Sequence, residues 1–246
     1  MPDFCYTTLE QDDESGLEIR LLYILPAAEL SAPIRCELRH ARVHHYRDGN
    51  PQGDTPEYEA LSYVWGNPHA TREIVVNNAP FPVTVNLEIA LRHLRYIESP
   101  WQSAWRRTFG TAGSERTRIL WVDALCIDQA NLLERGHQVQ NMFPIFRGAR
   151  RVLAWLGTPD DNSDLLFDVL NESRRMENDS AQRWKKEMDC LFKRAWFHRI
   201  WVRYLHASSW ITIDCIVDNP GGRRSEEYTL RMRAKDYFWS LPLEVI

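Results

Sequence analysis

The sequence lacks the features that assign many chains to a functional class. Its five cysteines are scattered singly without a CxxC pair, which fits neither a disulfide framework nor a zinc site. It has no G-x-G-x-x-G motif and no Walker A loop, so neither redox use of NAD nor ATP hydrolysis is indicated. The histidines His44, His45, His137 and His198 show no metal-ligand spacing, and we therefore predict no metal site.

Long apolar runs and a surplus of basic residues are absent too. No apolar stretch approaches the ~20 residues that a membrane-spanning helix requires, and the start of the chain lacks the basic and apolar segments of a signal peptide. The net charge of −4 and the pI near 6.1 argue against a surface that binds nucleic-acid phosphates. These absences predict a cytoplasmic protein with no nucleic-acid partner and no membrane span.

The sequence does contain an alternation of apolar runs and helical patterns. The runs at 60–63, 119–122 and 152–155 have the length of buried strands, and helical segments separate them. This order indicates βαβ crossovers and hence an α/β fold with a parallel sheet and flanking helices. Residues 73–84 alternate around Asn77-Asn78, which predicts a hairpin.

Two amphipathic helices are predicted in the middle of the chain. Asn86 is expected to cap the first, whose apolar residues recur at helical spacing up to Leu94. The second is expected over residues 131–149, kinked or restarted at Pro144. Its apolar stripe consists of Leu132, Val139, Met142, Phe143 and Phe146.

Five segments carry the pattern of a known family, in the family's order and roughly its spacing. They are YEALSYVWG at 58–66, NLEIALRHLR at 86–95, LWVDALCIDQ at 120–129, ERGHQVQNM at 134–142 and RVLAWLG at 151–157. Together they resemble the fungal heterokaryon-incompatibility (HET) domain. The match also takes in IRCELRH at 34–40, so the resemblance covers residues 34–202, with its core at 58–157, and leaves residues 1–33 as an N-terminal extension.

The resemblance ends abruptly at Val202. The family continues from the WFHRIWV segment into a Gln-Glu pair, whereas Arg203-Tyr204-Leu205 follows here. We therefore expect a truncated family domain followed by a divergent tail, residues 203–246, that packs poorly. The stretch 219–227 of this tail is turn-forming and charged, while the apolar run 210–217 could form a strand.

The resemblance implies a protein of fungal non-self recognition and programmed cell death. Its implied partners are further copies of the chain or other incompatibility proteins. The HET domain has been considered a remote relative of TIR domains, which implies a parallel, TIR-like (flavodoxin-like) sheet, here with an added N-terminal β segment. Some TIR domains cleave NAD with a catalytic glutamate, so the resemblance implies NAD as a substrate and no bound cofactor.

Candidate site residues lie where the predicted strands end, because ligands of open parallel sheets bind beyond the carboxyl ends of the strands. A carboxylate beside that crevice could do acid–base work or stabilise a developing cation. By the TIR analogy, Glu134 would be the catalytic carboxylate. The position of Asp123 at the end of a predicted strand makes it a second candidate. The pocket candidates are Ser62, Trp65, Gly66, Asp128, Gln129 and Gln138.

Structural interpretations compete with each of these assignments. Asp128 has the position of a helix cap or turn residue, and Asp123 could tie down loop amides. Glu134 and Gln138 could form a solvated helix face, and Trp65 and Cys126 could be buried in the core. Three functions therefore stay open: a NAD-cleaving effector, a non-enzymatic module that oligomerises and recruits partners, and a hydrolase with Cys126 as nucleophile.

Overall fold

The computed structural model describes residues 3–10, 16–43, 56–95 and 117–157, together with the backbone of two strands at 210–217 and 226–233. The chain forms two compact units, residues 1–152 and residues 153–246. The first unit contains every segment that the candidate site uses.

The first unit is built on a mixed sheet of six strands in the order β5-β4-β2-β1-β6-β3. Each of the five pairings between neighbouring strands in this order has a defined register and direction. The strands are β1 Leu17–Ile24, β2 Arg35–Val43, β3 Glu59–Tyr63, β4 Thr71–Val76, β5 Ala79–Thr84 and β6 Arg118–Trp121.

The expectation of a parallel sheet is wrong for most of this unit. Strand β1 pairs antiparallel with both β2 and β6, and β4 pairs antiparallel with β5. Among the described pairings of this unit, the parallel ones are the short contacts of β2 with β4 and of β3 with β6. The predicted strands at 60–63 and 119–122 are thus parallel neighbours, but β6 also pairs antiparallel with β1 on its other side. The structure supports an α/β fold with few helices and does not establish a flavodoxin-like topology.

Strand β1 lies inside the sheet and forms the centre of the core. Its residues Leu17, Ile19 and Leu21 have no exposed surface, and neither have Leu22 and Ile24. A strand that is buried on both faces reads as a continuous apolar run, which the sequence LEIRLLYI does except at two charged positions. The N-terminal segment therefore supplies the middle of the sheet.

The hairpin and the first helix follow the sequence pattern closely. Asn77 and Asn78 both have positive φ, 49° and 64°, as the tight turn between β4 and β5 requires. Helix α1, Val85–Leu94, is capped by Thr84, whose hydroxyl accepts from the Leu87 amide, and not by Asn86 as predicted. The Asn86 side chain instead donates to the Val64 carbonyl and so ties α1 to the end of β3.

Three helices connect β6 to β7, the strand Arg151–Trp155: α2 Asp123–Cys126, α3 Leu132–Gln140 and α4 Met142–Gly148. The predicted restart occurs at Asn141, so that Pro144 falls in the first turn of α4, where its missing N–H costs nothing. Tyr58 at the start of β3 holds α4 in place by donating to the Ile145 carbonyl.

The buried side of helices α3 and α4 is not the apolar stripe that the amphipathic pattern predicted. Their inner face, defined here as Glu134, Gln138, Asn141 and Ile145, is directed to the protein, with Gln138 and Ile145 buried. The predicted apolar stripe is divided: Leu132, Val139 and Phe143 show 68%, 52% and 65% of their surface. Met142 and Phe146 are partly buried, and the Phe146 ring packs against Trp121. The interpretation of Glu134 and Gln138 as a solvated face is therefore wrong.

The second unit contains the end of β7 and two strands of the tail. Strand β8, Trp210–Val217, pairs parallel with Leu153–Trp155 and antiparallel with β9, Glu226–Arg233. Strand β8 coincides with the apolar run noted in the sequence, whereas β9 begins inside the stretch predicted to be turn-forming. The expectation that the tail packs poorly stays a prediction.

Candidate functional site

A tryptophan and an aspartate meet at the carboxyl edge of the parallel pair β3 and β6. Trp65 follows β3 and Asp123 opens α2 directly after β6. The indole Nε1 of Trp65 donates a hydrogen bond of 3.1 Å to the Asp123 carboxylate. Trp65 is 40% exposed, so it is not the core residue that its size suggested. Because parallel strands end at the same edge, two segments 58 residues apart in sequence place these side chains together.

The loops around this pair are fixed by hydrogen bonds to their backbone. The Gln129 side-chain amide donates to the Asp123 carbonyl at 2.8 Å, and the Ala124 amide donates to the Asp123 carboxylate at 2.8 Å. Gly66 adopts a φ of +76°, which favours glycine, and it lies beside Asn86. Ser62 is buried within β3. Trp65 and Asp123 thus offer an indole and a carboxylate on a fixed frame.

Glu134 belongs to a different cluster, centred on Arg20 of β1. Its two carboxylate oxygens accept from the two terminal nitrogens of Arg20 at 2.6 and 3.0 Å, a bidentate ion pair. One of these oxygens also accepts from the Asp128 amide at 2.8 Å. Arg20 is 2% exposed and the Glu134 side chain 10%, so that solvent hardly reaches either group.

The electrostatics of this cluster keep Glu134 ionised. Burial by itself would raise the pKa of Glu134, but the hydrogen bonds from Arg20 and from the Asp128 amide outweigh it and hold the pKa below its usual value. Arg20 also donates to the Cys126 carbonyl at 3.1 Å and lies 4.8 Å from the centre of the Tyr6 ring. The ion pair therefore clamps the loop after α2 onto β1.

The remaining predicted residues support the same loop. Asp128 accepts from the Ala130 amide at 3.0 Å, the bond of a turn residue, while Asn131 caps α3 by accepting from the Glu134 amide. Gln138 donates to the Glu18 carbonyl of β1 at 3.0 Å. The structure thus joins Asp123 to Trp65 and Gln129, and joins Glu134 to Arg20; the loop from Cys126 to Gln129 connects the two clusters.

Cys126 has the environment of a core residue. It has no exposed surface, and burial raises the pKa of its thiol to about 12. A thiol with such a pKa is protonated near neutral pH, and the thiolate is the nucleophilic form. The geometry gives no support to a hydrolase that uses Cys126.

The sequence analysis missed Arg20 and Tyr6, which complete the Glu134 cluster. Both lie before the segments that carry the family pattern. Tyr6 donates to the Leu125 carbonyl at 3.0 Å, so this early segment also holds α2. A signal for Arg20 was present, because an arginine inside the apolar run LEIRLLYI needs a buried partner.

The part of the chain that the structure describes holds no group of three or more His, Cys, Asp or Glu residues arranged to bind a metal ion. Within the same residues, none of the helices has both the length and the apolar character that crossing a bilayer requires.

The family of the chain follows from comparison with known sequences. Residues 58–203, more than half of the chain, match the family described as "Heterokaryon incompatibility protein (HET)". This chain belongs to that family. The matched range contains Trp65, Asp123 and Glu134, whereas Arg20 lies before it.

Two relatives with fungal incompatibility names are similar to this chain. "Heterokaryon incompatibility protein 6, OR allele" of Neurospora crassa is 33% identical over 177 residues, 69% of this chain and 23% of the relative. "Vegetative incompatibility protein HET-E-1" of Podospora anserina is 24% identical over 146 residues, 59% of this chain and 9% of the relative. The chain therefore spans less than a quarter of either relative. No solved structure shows significant similarity to it.

Proposed function

We propose that this chain acts in fungal non-self recognition and programmed cell death as a non-enzymatic signalling module. Its membership of the HET family and the names of its relatives support the incompatibility role. On this proposal it works in the cytoplasm, and its partners are further copies of itself or other incompatibility proteins. Neither NAD nor another cofactor is needed.

The ion pair of Glu134 with Arg20 is the observation that favours a signalling module over an enzyme. A carboxylate that stabilises a developing cation must face the substrate at the moment of reaction. Both oxygens of Glu134 are instead committed to Arg20, and one of them also to the Asp128 amide. Releasing Glu134 would leave a buried arginine without its counter-charge, which costs several kcal/mol, on the order of 3–5. Glu134 therefore serves the fold.

A nucleotide-cleaving enzyme is the second candidate, and the Trp65–Asp123 pair is the observation that favours it. A half-exposed indole can stack on a planar ring such as nicotinamide. The Asp123 carboxylate, 3.1 Å from the indole nitrogen, could stabilise the cation that forms as the bond between ribose and nicotinamide breaks. Water would then add to the ribose carbon while nicotinamide leaves.

One experiment separates the two candidates. The purified full chain is incubated with NAD at several protein concentrations, and released nicotinamide is measured. Parallel cultures of a fungal host express the same variants, and cell death is scored. The variants are Asp123→Asn, which keeps an acceptor for Trp65 but removes the charge, and Asp128→Asn as a matched control in the same loop.

A signalling module should release no nicotinamide at any concentration, and Asp123→Asn should kill as well as the parent chain. Nicotinamide release that disappears in Asp123→Asn and persists in Asp128→Asn would establish the enzyme instead. A well-expressed parent chain that fails to kill would contradict the cell-death role of this chain by itself.

A further inference from the structure

An apolar stripe runs along the exposed side of α3 and α4. We define the outer stripe as Leu132, Gly136, Val139 and Phe143, which follow one another at intervals of four, three and four residues. Six large hydrophobic side chains of the described residues are exposed, and three of them are the large members of this stripe; a fourth, Leu133, adjoins it and is 87% exposed. Exposed apolar patches on this scale mark interaction surfaces.

The stripe is continuous across the junction of the two helices. Asn141, at the junction, has φ −96° and ψ 9°, which lie outside the helical range, but the Ile145 amide still donates to its carbonyl as in a helical turn. The inner face also continues across the junction, because Gln138 and Ile145 are both buried. On the opposite side, Val139 before the junction and Phe143 after it are both exposed. The 4-3-4 spacing of the outer stripe is that of the contact positions of a coiled coil, so the shape fits another helix.

Gly136 gives the stripe a gap at its centre. A Cβ atom added there would meet nothing within 4 Å, so no contact among the residues that the structure describes requires a glycine here. Glycine inside a helix is less stable than alanine because it loses more backbone entropy. Its effect on the outer stripe is to leave a depression, flanked by Leu132 and Val139, into which a side chain from another helix can fit.

We propose that a second copy of this chain packs on the outer stripe, with its helix antiparallel to the first. In this register Leu132 faces Phe143 and Gly136 faces Val139, so that each Val139 fills the depression at Gly136 of the other copy. A parallel register would set glycine against glycine and phenylalanine against phenylalanine, which leaves a void at one level and crowding at another. Size complementarity therefore selects the antiparallel, isologous pair.

The charges beside the stripe are compatible with this register. Leu133 and Gln140 lie on one side of the stripe, and Arg135 and Met142 lie on the other. An antiparallel pair brings like sides together, so Arg135 of one copy lies next to Met142 of the other and not next to a second Arg135. The methylene stem of arginine can cover such an apolar neighbour while its charge stays in water.

The size of the surface sets the expected affinity. Four large apolar side chains per copy would bury on the order of 1,000 Å² in total, the lower limit for a specific interface. We therefore expect a dimer with a Kd of about micromolar magnitude, which assembles only as the chain becomes concentrated. This inference names the partner within the proposed signalling role, but the association can be measured without a cell-death assay.

Sedimentation velocity of the full chain over a range of concentrations gives the first test. The parent chain should pass from monomer to dimer. Val139→Arg, at the centre of the stripe, should weaken the dimer at least about tenfold. Leu30→Arg is the matched control, because Leu30 is also an exposed hydrophobic residue, at 46%, and lies off the stripe. Circular dichroism checks that both variants fold.

A second variant separates association from folding. Gly136→Leu fills the depression with a better helix former, so it should weaken the dimer about tenfold without lowering the midpoint of thermal unfolding. A variant that lost its fold could not give this combination. Unchanged association of Gly136→Leu would overturn the proposed packing at Gly136.

Cysteine cross-linking tests the register. Leu132→Cys and Phe143→Cys chains are oxidised separately and as a mixture, and peptide mapping identifies the joined residues. The antiparallel register predicts that the mixed pair joins faster than either residue joins its own copy. Faster joining of like residues would overturn the register.

Two further outcomes would overturn the proposal as a whole. One is a parent chain that stays monomeric at every concentration. The other is a dimer that Val139→Arg weakens no more than Leu30→Arg does, which would mean that a different surface pairs and that other segments or proteins cover the stripe. Because a chain that dimerises but does not kill contradicts only the proposed function, the two failures are distinguishable.

Discussion

The inner face and the outer stripe of α3 and α4 belong to the same short segment, yet their polarity and burial are reversed. On the inner face Gln138 is 1% exposed, whereas its neighbour Val139 is 52% exposed. The inner face is polar because β1 offers it polar partners: the Arg20 guanidinium for Glu134 and the Glu18 carbonyl for Gln138. The comparison shows that available partners, and not hydrophobicity alone, decided which side of the helix is buried.

Replacing Arg20, whose charge pairs with Glu134 on the inner face, should cause the largest loss of stability. Arg20→Met leaves the Glu134 carboxylate buried without a counter-charge, so we expect the free energy of unfolding to fall by about 3–5 kcal/mol. Urea unfolding followed by circular dichroism measures this change. The double variant Arg20→Met, Glu134→Leu removes both charges and should recover most of the loss. A double variant as unstable as the single one would show that the clamp does not depend on the ion pair.

Low pH should also weaken the Arg20–Glu134 ion pair, but with a smaller loss of stability than Arg20→Met causes. The pKa of Glu134 is lower in the folded chain than in the unfolded chain, where it is about 4.3. The pair therefore contributes its stability above the unfolded pKa and loses it as the pH falls through the folded pKa. Unfolding free energies measured from neutral pH downward should decline more steeply for the parent chain than for Glu134→Gln. Equal slopes would mean that Glu134 has the same pKa in both states.

Two adjacent alanine substitutions compare the faces directly. Gln138→Ala removes a buried hydrogen bond and leaves the Glu18 carbonyl without that donor, which should cost about 1–3 kcal/mol. Val139→Ala removes an exposed side chain and should change stability by no more than about 0.5 kcal/mol. Thermal or urea unfolding below the concentration at which the chain dimerises gives both values. A larger loss for Val139→Ala would show that the outer stripe is covered in the single chain.

The smallest effect is expected at Gly136 and has the opposite sign. Gly136→Ala should raise the free energy of unfolding by up to about 1 kcal/mol, because alanine loses less backbone entropy in a helix and meets no neighbour there. The measurement is again urea unfolding of the monomer. Arg135→Ala, at the preceding position of the same exposed turn, serves as a control for the general effect of alanine. A loss of stability in Gly136→Ala would place another group against that position.

Local patterns predicted the elements that depend on neighbouring residues. The hairpin at Asn77-Asn78, the restart before Pro144 and the parallel strands β3 and β6 could be predicted because turn chemistry and apolar runs act over a few residues. The position of β1 between β2 and β6 could not be predicted in this way. The pairing of β1 with β6 joins segments that are far apart in the sequence, and such a contact leaves no local pattern in β1.

In the candidate site, too, the sequence predicted one part and not the other. The end of β3 and the start of α2 could be placed at one edge from the strand pattern, which puts Trp65 near Asp123. Glu134 was assigned to that edge by analogy, but its partner is Arg20, 114 residues earlier. A periodic pattern identifies the two faces of a helix and gives no information on which face meets a charged partner from a remote strand.

The sequence by itself determined the family, the hairpin, the helical segments and the apolar runs, because each of these is written in residues that are close together along the chain. Only the tertiary structure decided that β1 occupies the middle of the sheet, that Glu134 is paired and that the apolar side of α3 faces outward. These depend on contacts between distant residues, where an ion pair with Arg20 outweighs the general preference for burying leucine and valine.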